Sequence, residues 1–171
     1  MQGMVYAALF GAATAVGAWI AIPFPLVPIT LQTLFVALAA SLLGGRLGAL
    51  SQVVYVLLGI IGLPVFSGGK AGLGVLMGPT GGYLIGFIVG AYVTGKLMTF
   101  KKTTTFIWTA LSIGVGFVVI YLLGVAQLSI VARLTLLKAI SVGVIPFLMG
   151  DCLKLIVAAI VTVKVRDKIN P

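Results

Sequence analysis

Residues 106–127 read FIWTALSIGVGFVVIYLLGVAQ and contain no charged side chain. The hydrocarbon core of a bilayer is about 30 Å thick, so a helix that crosses it needs about 20 mainly apolar residues. This stretch is long enough and apolar enough to do so. It therefore predicts a membrane-spanning helix and a chain that folds in a lipid bilayer.

The rest of the chain has the same character. Of its 171 residues, 61% are hydrophobic and only 8% are charged, whereas a soluble domain has about 25% charged residues. We expect a single all-α integral membrane domain over residues 1–171. The predicted spans are 4–22, 32–44, 47–63, 81–98, 106–127 and 139–163.

The connections between these spans differ in composition. The short stretch GGRLG joins the second and third spans and predicts a tight helical hairpin. In IPFPLVPIT (22–30), three prolines cannot continue a helix and predict a rigid connection. In the connection 128–138, Arg133 and Lys138 are expected to flank a short interfacial helix.

Lysine and arginine are unevenly divided between the two ends of the predicted bundle. Cytoplasmic loops of membrane proteins are enriched in these residues. The end with both chain termini holds Arg46, Lys96, Lys101, Lys102, Lys164, Arg166 and Lys168. The other end holds Lys70, Arg133 and Lys138. We therefore expect both termini to lie in the cytoplasm.

The composition also excludes several functions. A net charge of +9 would suggest a nucleic-acid partner in a soluble protein, but the chain has no basic run with interleaved aromatic residues, so none is expected. There is no histidine and only one cysteine. This excludes histidine-based metal sites and triads, internal disulfides and cysteine-cluster zinc sites. We expect neither a metal nor a cofactor.

The last predicted span contains two charged residues, in the stretch GDCLK (150–154). Asp151 and Lys154 are three positions apart, which places them on one face of a helix. A charge at the bilayer centre costs about 2.5–3.5 kcal/mol on insertion scales. Two alternatives follow: an ion pair that merely tolerates burial, or a polar site for a ligand with donors and acceptors. The only other carboxylate side chain, Asp167, belongs to the charged terminal stretch KVRDK.

Small residues recur along the first predicted span, in YAALFGAATA. Ala7, Gly11 and Ala15 share one helical stripe, and Ala8 and Ala12 lie beside it. Small residues at this spacing let another helix approach closely. The spacing alone favours packing inside the bundle, and the alternative is docking onto a separate membrane subunit.

Residues 67–83, SGGKAGLGVLMGPTGGY, contain seven glycines and one lysine. A phosphate-binding loop is excluded because its pattern requires Ser or Thr after the lysine, and Ala71 follows Lys70. The spacing G-x-G-x-x-G also fails. Two alternatives remain: a flexible exposed loop, or a lid over an outer site whose backbone N–H groups hold an anionic group. Gly81 and Gly82 predict a tight turn before the fourth span.

Three stretches match a known family: VPITLQTLFVALAASLLGGRLGALSQVVYVLLGIIGLPVF (27–66), GLGVLMGPTGGYLIGF (72–87) and GDCLK (150–154). In these the chain resembles the BioY family, the biotin-binding S-components of energy-coupling-factor (ECF) vitamin transporters. The resemblance implies a six-helix S-component fold with cytoplasmic termini and no enzymatic activity. It also implies high-affinity capture of biotin from outside, in a pocket roofed by the loops after the first and third spans.

The resemblance further implies partners and a location. The small-residue stripe of the first helix would contact a transmembrane coupling subunit, which moves Ala8, Ala12 and their neighbours towards the docking alternative. Two ATPase subunits would supply the energy, since this chain has no ATPase motif. The expected location is the plasma membrane of a prokaryote.

Site residues follow from the chemistry of biotin, which has a ureido ring with two N–H donors and one carbonyl, and a valerate tail ending in a carboxylate. We expect Asp151 to accept ureido N–H bonds and Lys154 to donate to the ureido oxygen or to hold Asp151. The expected biotin-binding residues are Asp151, Lys154, Gln32, Tyr83, Lys70, Gly81 and Gly82. Of these, Lys70 and the glycine-rich backbone would hold the carboxylate at the outer mouth.

Two other functions are considered. A membrane enzyme for a lipid-like substrate is disfavoured by the single buried carboxylate and the lack of histidine, because acid–base catalysis usually pairs groups with separated pKa values. A structural subunit without a ligand would leave Asp151 and Lys154 no purpose beyond their own pairing.

Overall fold

A computed structural model describes residues 2–101 and 104–168, with the side chain of Asp167 excepted. Lys102, which the charge count above assigns to the cytoplasmic end, lies outside the described residues, and so does the Asp167 side chain.

The described chain is mostly helical. Its helices are α1 (Gln2–Trp19), α2 (Gln32–Leu43), α3 (Gly45–Ile60), α4 (Leu73–Leu76), α5 (Gly81–Thr99), α6 (Phe106–Val131), α7 (Leu136–Gly143) and α8 (Ile145–Val165). A short 3-10 helix follows α8 at Arg166–Lys168. Among the described helices, α5, α6 and α8 are long and apolar enough to cross a membrane, and α2 and α3 are apolar but shorter. Those three are candidate membrane spans by length and composition.

The predicted span 139–163 is wrong in its first part, because two helices replace it. The helix α7 ends at Gly143, Val144 has φ −128° and ψ −55°, and α8 begins at Ile145. Pro146 lies in the first turn of α8, where its missing N–H is tolerated, but a helix cannot continue through it without a break. The predicted interfacial helix is also displaced, since Lys138 lies within α7.

The proline-rich connection contains the only strands among the described residues, an exception to the all-α class. Strand β1 (Ala21–Ile22) pairs antiparallel with β2 (Ile29–Thr30). The predicted first span therefore ends too late, because Trp19 is the last residue of α1. The Leu31 backbone N–H donates to the Gly17 carbonyl oxygen at 3.1 Å and ties this hairpin to α1.

The helices pack through small residues. The helix α5 packs against α6 and α3, while α2 lies between α5 and α8. A Cβ atom on Gly90 of α5 would lie 2.8 Å from the Gly116 carbonyl oxygen of α6, so only glycine permits this approach. In the core, the Ser41 and Thr162 hydroxyls of α2 and α8 are hydrogen-bonded at 2.7 Å.

A single residue separates α2 from α3, which confirms the predicted tight hairpin. Gly44 has φ +82°, a conformation that side chains other than glycine rarely adopt. The opposite end of the bundle is formed by three longer connections: the proline loop (residues 20–31), the glycine loop (residues 61–80, containing α4) and residues 132–144. We call this the loop end.

Candidate functional site

A cavity opens at the loop end between α2, α5, α6 and α8. Its volume is about 710 Å³ when the open mouth is counted. The proline loop contributes Val27 and Pro28 to its walls, and the glycine loop contributes Ser67 and Lys70. The cavity therefore has a roof built from both long loops.

The floor of the cavity holds the charged pair of α8. Lys154 Nζ donates to Asp151 Oδ1 at 2.6 Å, and the two side chains are only 8% and 6% exposed. Their spacing of three residues places them on one helical face, as the sequence predicts. Both line the cavity.

Two hydroxyl groups from other helices complete the arrangement. Thr33 of α2 donates to Asp151 Oδ1 at 2.9 Å and accepts from Lys154 Nζ at 3.2 Å. The Tyr121 hydroxyl of α6 donates to Asp151 Oδ2. Three helices thus position one carboxylate, and all four residues line the cavity.

These bonds leave hydrogen-bonding capacity on the pair. A carboxylate has about four lone-pair directions and an ammonium has three donors. Among the described residues, Asp151 uses three of these directions and Lys154 uses two of its donors. One acceptor on Oδ2 and one N–H remain, in a buried site where charge-assisted bonds are strong. The pair is thus not saturated by its own neighbours.

Gln32 is also brought to the cavity, and it is 5% exposed. Its Nε2 donates to the Tyr55 hydroxyl at 2.5 Å, and its Oε1 accepts from Thr30 Oγ1 at 2.8 Å. The Tyr55 ring in turn packs edge-on against Phe66 of the glycine loop, with centroids 5.7 Å apart. Gln32 is therefore a fixed polar group linked to both loops.

Tyr83 lines the cavity at the start of α5. Its hydroxyl donates to the carbonyl oxygen of Gly143, the last residue of α7, at 2.8 Å. The hydroxyl hydrogen is thus already used within the chain. Tyr83 offers a ligand its ring and the acceptor capacity of its oxygen.

Two polar groups lie in the glycine-loop part of the roof. Lys70 is exposed, lines the cavity and accepts a bond from the Phe66 backbone N–H at 3.0 Å through its carbonyl oxygen. Ser67 lines the same cavity, and its buried hydroxyl has no hydrogen-bond partner among the described residues. Buried polar groups are nearly always paired, so Ser67 is a candidate ligand contact.

Gly81 and Gly82, which the sequence predicts as ligand contacts, are not among the described residues that line this cavity. Added Cβ atoms would collide with the Leu76 carbonyl oxygen and with Leu123 of α6, respectively. Their lack of a side chain serves close packing of α5 beneath the loop. Gln127 of α6 completes this junction by donating to the Leu76 carbonyl oxygen at 2.7 Å.

The small residues of α1 divide into two groups. Ala7 is 1% exposed, and a Cβ atom on the buried Gly11 would lie 2.8 Å from the Ser51 carbonyl oxygen of α3. These two residues pack inside the bundle, which leaves them no surface for a partner. Ala15 is half-buried, whereas Ala8 and Ala12 are exposed.

Sequence reasoning missed Thr33, Tyr121 and Ser67. Tyr121 is the one tyrosine in the apolar stretch 106–127, a weak signal of a polar partner in the core. Thr33 follows Gln32 directly, and threonine is too common in apolar helices to be informative. Ser67 belongs to a loop whose path the sequence does not reveal.

Comparisons with known proteins agree with this fold. The BioY family model matches residues 1–171. The biotin transporter BioY of Thermotoga maritima is 47% identical over 166 residues, covering 97% of this chain and 96% of the relative. The biotin transporter BioY of Rhizobium etli is 43% identical over 150 residues, covering 82% of this chain and 79% of the relative.

A solved structure is similar over nearly the whole chain. The crystal structure of the S-component for biotin from an ECF-type ABC transporter superposes with a TM-score of 0.88 and 26% sequence identity, covering 97% of this chain and 91% of that chain. The fold, the family model and the sequence relatives agree. This chain belongs to the BioY family.

Proposed function

We propose that this chain is the biotin-binding S-component of an ECF transporter, which captures biotin with high affinity at the outer face and delivers it to the cytoplasm when docked on an ATP-driven coupling module. It acts as a transporter subunit and not as an enzyme. The observation that carries the proposal is the buried Asp151–Lys154 pair, which retains one acceptor and one donor at the floor of a roofed cavity. The relatives named biotin transporters support the choice of ligand.

The ureido group of biotin fits this floor chemically. It presents an N–H and a carbonyl oxygen on adjacent atoms, and the floor offers an acceptor on Asp151 beside a donor on Lys154. Gln32 is available to the second ureido N–H. The fused rings would then contact the apolar walls, and the valerate would extend towards Ser67 and Lys70.

We further propose six membrane spans formed by α1, α2, α3, α5, α6 and α8. The twelve residues of α2 rise only about 18 Å, so its crossing is completed by the proline loop above it. The excess of lysine and arginine at the end opposite the loop end supports cytoplasmic termini. The location that follows is the plasma membrane of a prokaryote, with the chain as a multi-pass protein.

The proposed partners are the bilayer, a transmembrane coupling subunit and two ATPase subunits. The exposed face of α1 supports the first contact with the coupling subunit, because Ala8 and Ala12 lie there between the exposed apolar side chains of Val5, Leu9 and Val16. Such a face lets a partner helix approach closely.

The test is equilibrium binding of radiolabelled biotin to the purified protein, with riboflavin and thiamine as controls. We expect saturable binding of biotin that neither control vitamin displaces. Absence of saturable biotin binding by a monodisperse preparation would refute the proposed function.

A further inference from the structure

A second space adjoins the cavity at the loop end. It is a crevice between the proline loop and the glycine loop, with a volume of about 1,030 Å³ counting its open mouth. Pro28, Ser67 and Lys70 line both spaces. The crevice therefore borders the roof of the proposed biotin cavity along these three residues.

The depth of the cavity, compared with the length of biotin, indicates which part of biotin lies near the crevice. Asp151 lies six residues beyond Ile145, the first residue of α8, which places it about 9 Å below the outer end of that helix. A ureido group held by Asp151 and Lys154 leaves the valerate directed at the roof. Counting the bond that joins it to the fused rings, the valerate has five successive carbon–carbon bonds of about 1.5 Å each, so with the fused rings it spans this depth. The carboxyl group then arrives near Pro28, Ser67 and Lys70, which line both spaces.

The walls of the crevice suit an alkyl chain that continues beyond the carboxyl group of biotin, and not only a free carboxylate. Trp19 and Leu26 supply apolar surface on the proline-loop side. Gly68 and Gly69 lie on the other side with φ +74° and +70°, and added Cβ atoms on them would meet nothing within 4 Å. The space beside these two glycines is thus open, while the Gly69 backbone N–H already donates to the Phe66 carbonyl oxygen at 3.0 Å.

We propose that the chain also binds biotin amides, in which the carboxyl group of biotin is joined to a primary alkylamine such as a lysine side chain, with the alkyl extension lying in the crevice. This inference rests on the proposed function. The amide loses the negative charge that would face Lys70. Because Lys70 is exposed, losing its ion pair with the carboxylate costs little binding free energy. We therefore expect amides to bind at most about tenfold more weakly than biotin.

The experiment is competition against radiolabelled biotin on the purified full chain. The competitors are biotin, biotin N-butylamide, biotin joined to the side-chain amine of lysine, and free lysine. We expect both amides to displace the label within about tenfold of the concentration that biotin requires, and free lysine not to displace it. Failure of both amides at a thousandfold higher concentration than biotin would overturn the proposal.

A substitution tests the placement in the crevice. Leu26 lines the crevice and not the cavity, and it is 37% exposed. Leu26→Trp should fill the crevice and weaken the amides by at least about tenfold while changing biotin affinity less than about threefold. The control is Met77→Trp, because Met77 is 76% exposed and lines neither space.

The outcomes separate the two claims. Equal losses for biotin and its amides in Leu26→Trp, or no loss for either, would overturn the crevice assignment and leave the proposed function standing. If biotin itself fails to bind the parent chain, the proposed function fails and the amide inference falls with it.

Discussion

Thr33 bridges the charged pair of α8: its hydroxyl accepts from Lys154 Nζ at 3.2 Å and donates to Asp151 Oδ1 at 2.9 Å. Because Thr33 belongs to α2, this bridge fixes the pair relative to a different helix. Both members of the pair line the cavity, where one acceptor of Asp151 and one donor of Lys154 remain unused among the described residues. Preorganised polar groups reduce the entropy lost when a ligand binds.

The bridge predicts the effect of removing one hydroxyl. Thr33→Val keeps the shape of the side chain, and hydrogen bonds to charged groups contribute about 1.5–3 kcal/mol. We therefore expect biotin affinity to fall about tenfold to a hundredfold in a binding titration. Thr33→Ser, which retains the hydroxyl, should bind within about threefold of the parent. Parental affinity in Thr33→Val would show that the bridge does not organise the site.

Tyr121 should act through Asp151 in the same way. Tyr121→Phe removes the donor to Oδ2 and nothing else from the floor, so we expect about a tenfold loss of biotin affinity. The matched control is Tyr92→Phe, since Tyr92 is 45% exposed and lies outside the cavity lining. The measurement is a biotin titration alongside a thermal unfolding curve. Equal affinities for the two variants would contradict the role of Tyr121.

Gly82 is expected to matter for folding rather than for ligand contact. Gly82→Ala forces a methyl group against Leu123 of α6, and overpacking of this kind costs about 1–3 kcal/mol. The melting temperature should fall. Gly74→Ala, in the glycine loop that precedes α5, is the control because a Cβ atom there meets nothing within 4 Å. If Gly82→Ala has the same melting temperature as the parent, α5 and α6 can move apart at this point without loss of stability.

The two sides of α1 should respond differently to a large side chain. Ala8→Trp lies on the exposed face, so we expect unchanged biotin binding by the isolated chain and loss of uptake with the coupling module. Ala7→Trp enlarges a residue that is 1% exposed, so it should lower the melting temperature of the isolated chain, without the coupling module. If Ala8→Trp abolishes binding by the isolated chain, that face packs internally, and the docking proposal is wrong.

The charged pair was predictable because its two residues are close together in the sequence. Asp151 and Lys154 are neighbours on one helical face of an apolar span, and burial of charge demands a partner. Their other partners were not predictable. Thr33 is 118 positions from Asp151 and Tyr121 is 30 positions from it, so only the packing of α2 and α6 against α8 brings them together.

The glycines show why the rest of the site could not be read from sequence. A glycine required by a ligand and a glycine required by a neighbouring helix both reflect a missing Cβ atom. Gly81 and Gly82 belong to the second kind, whereas Gly68 and Gly69 face open space. The break between α7 and α8 at Val144, by contrast, could be predicted from the nearby Pro146, because proline interrupts a helix.

The central claim is that the Asp151–Lys154 pair recognises biotin, and a matched pair of neighbouring substitutions tests it most directly. Asp151→Asn removes the charged acceptor, while Cys152→Ser alters the adjacent exposed residue outside the biotin cavity. Because Asp151→Asn leaves the Lys154 charge unpaired, which is strongly destabilising, the neutral double variant Asp151→Asn/Lys154→Met is measured beside it.

The measurement is equilibrium binding of radiolabelled biotin to each purified, monodisperse variant. We predict that Cys152→Ser binds like the parent, and that both Asp151 variants lose at least about a hundredfold in affinity. Parental affinity in folded Asp151→Asn would contradict the account.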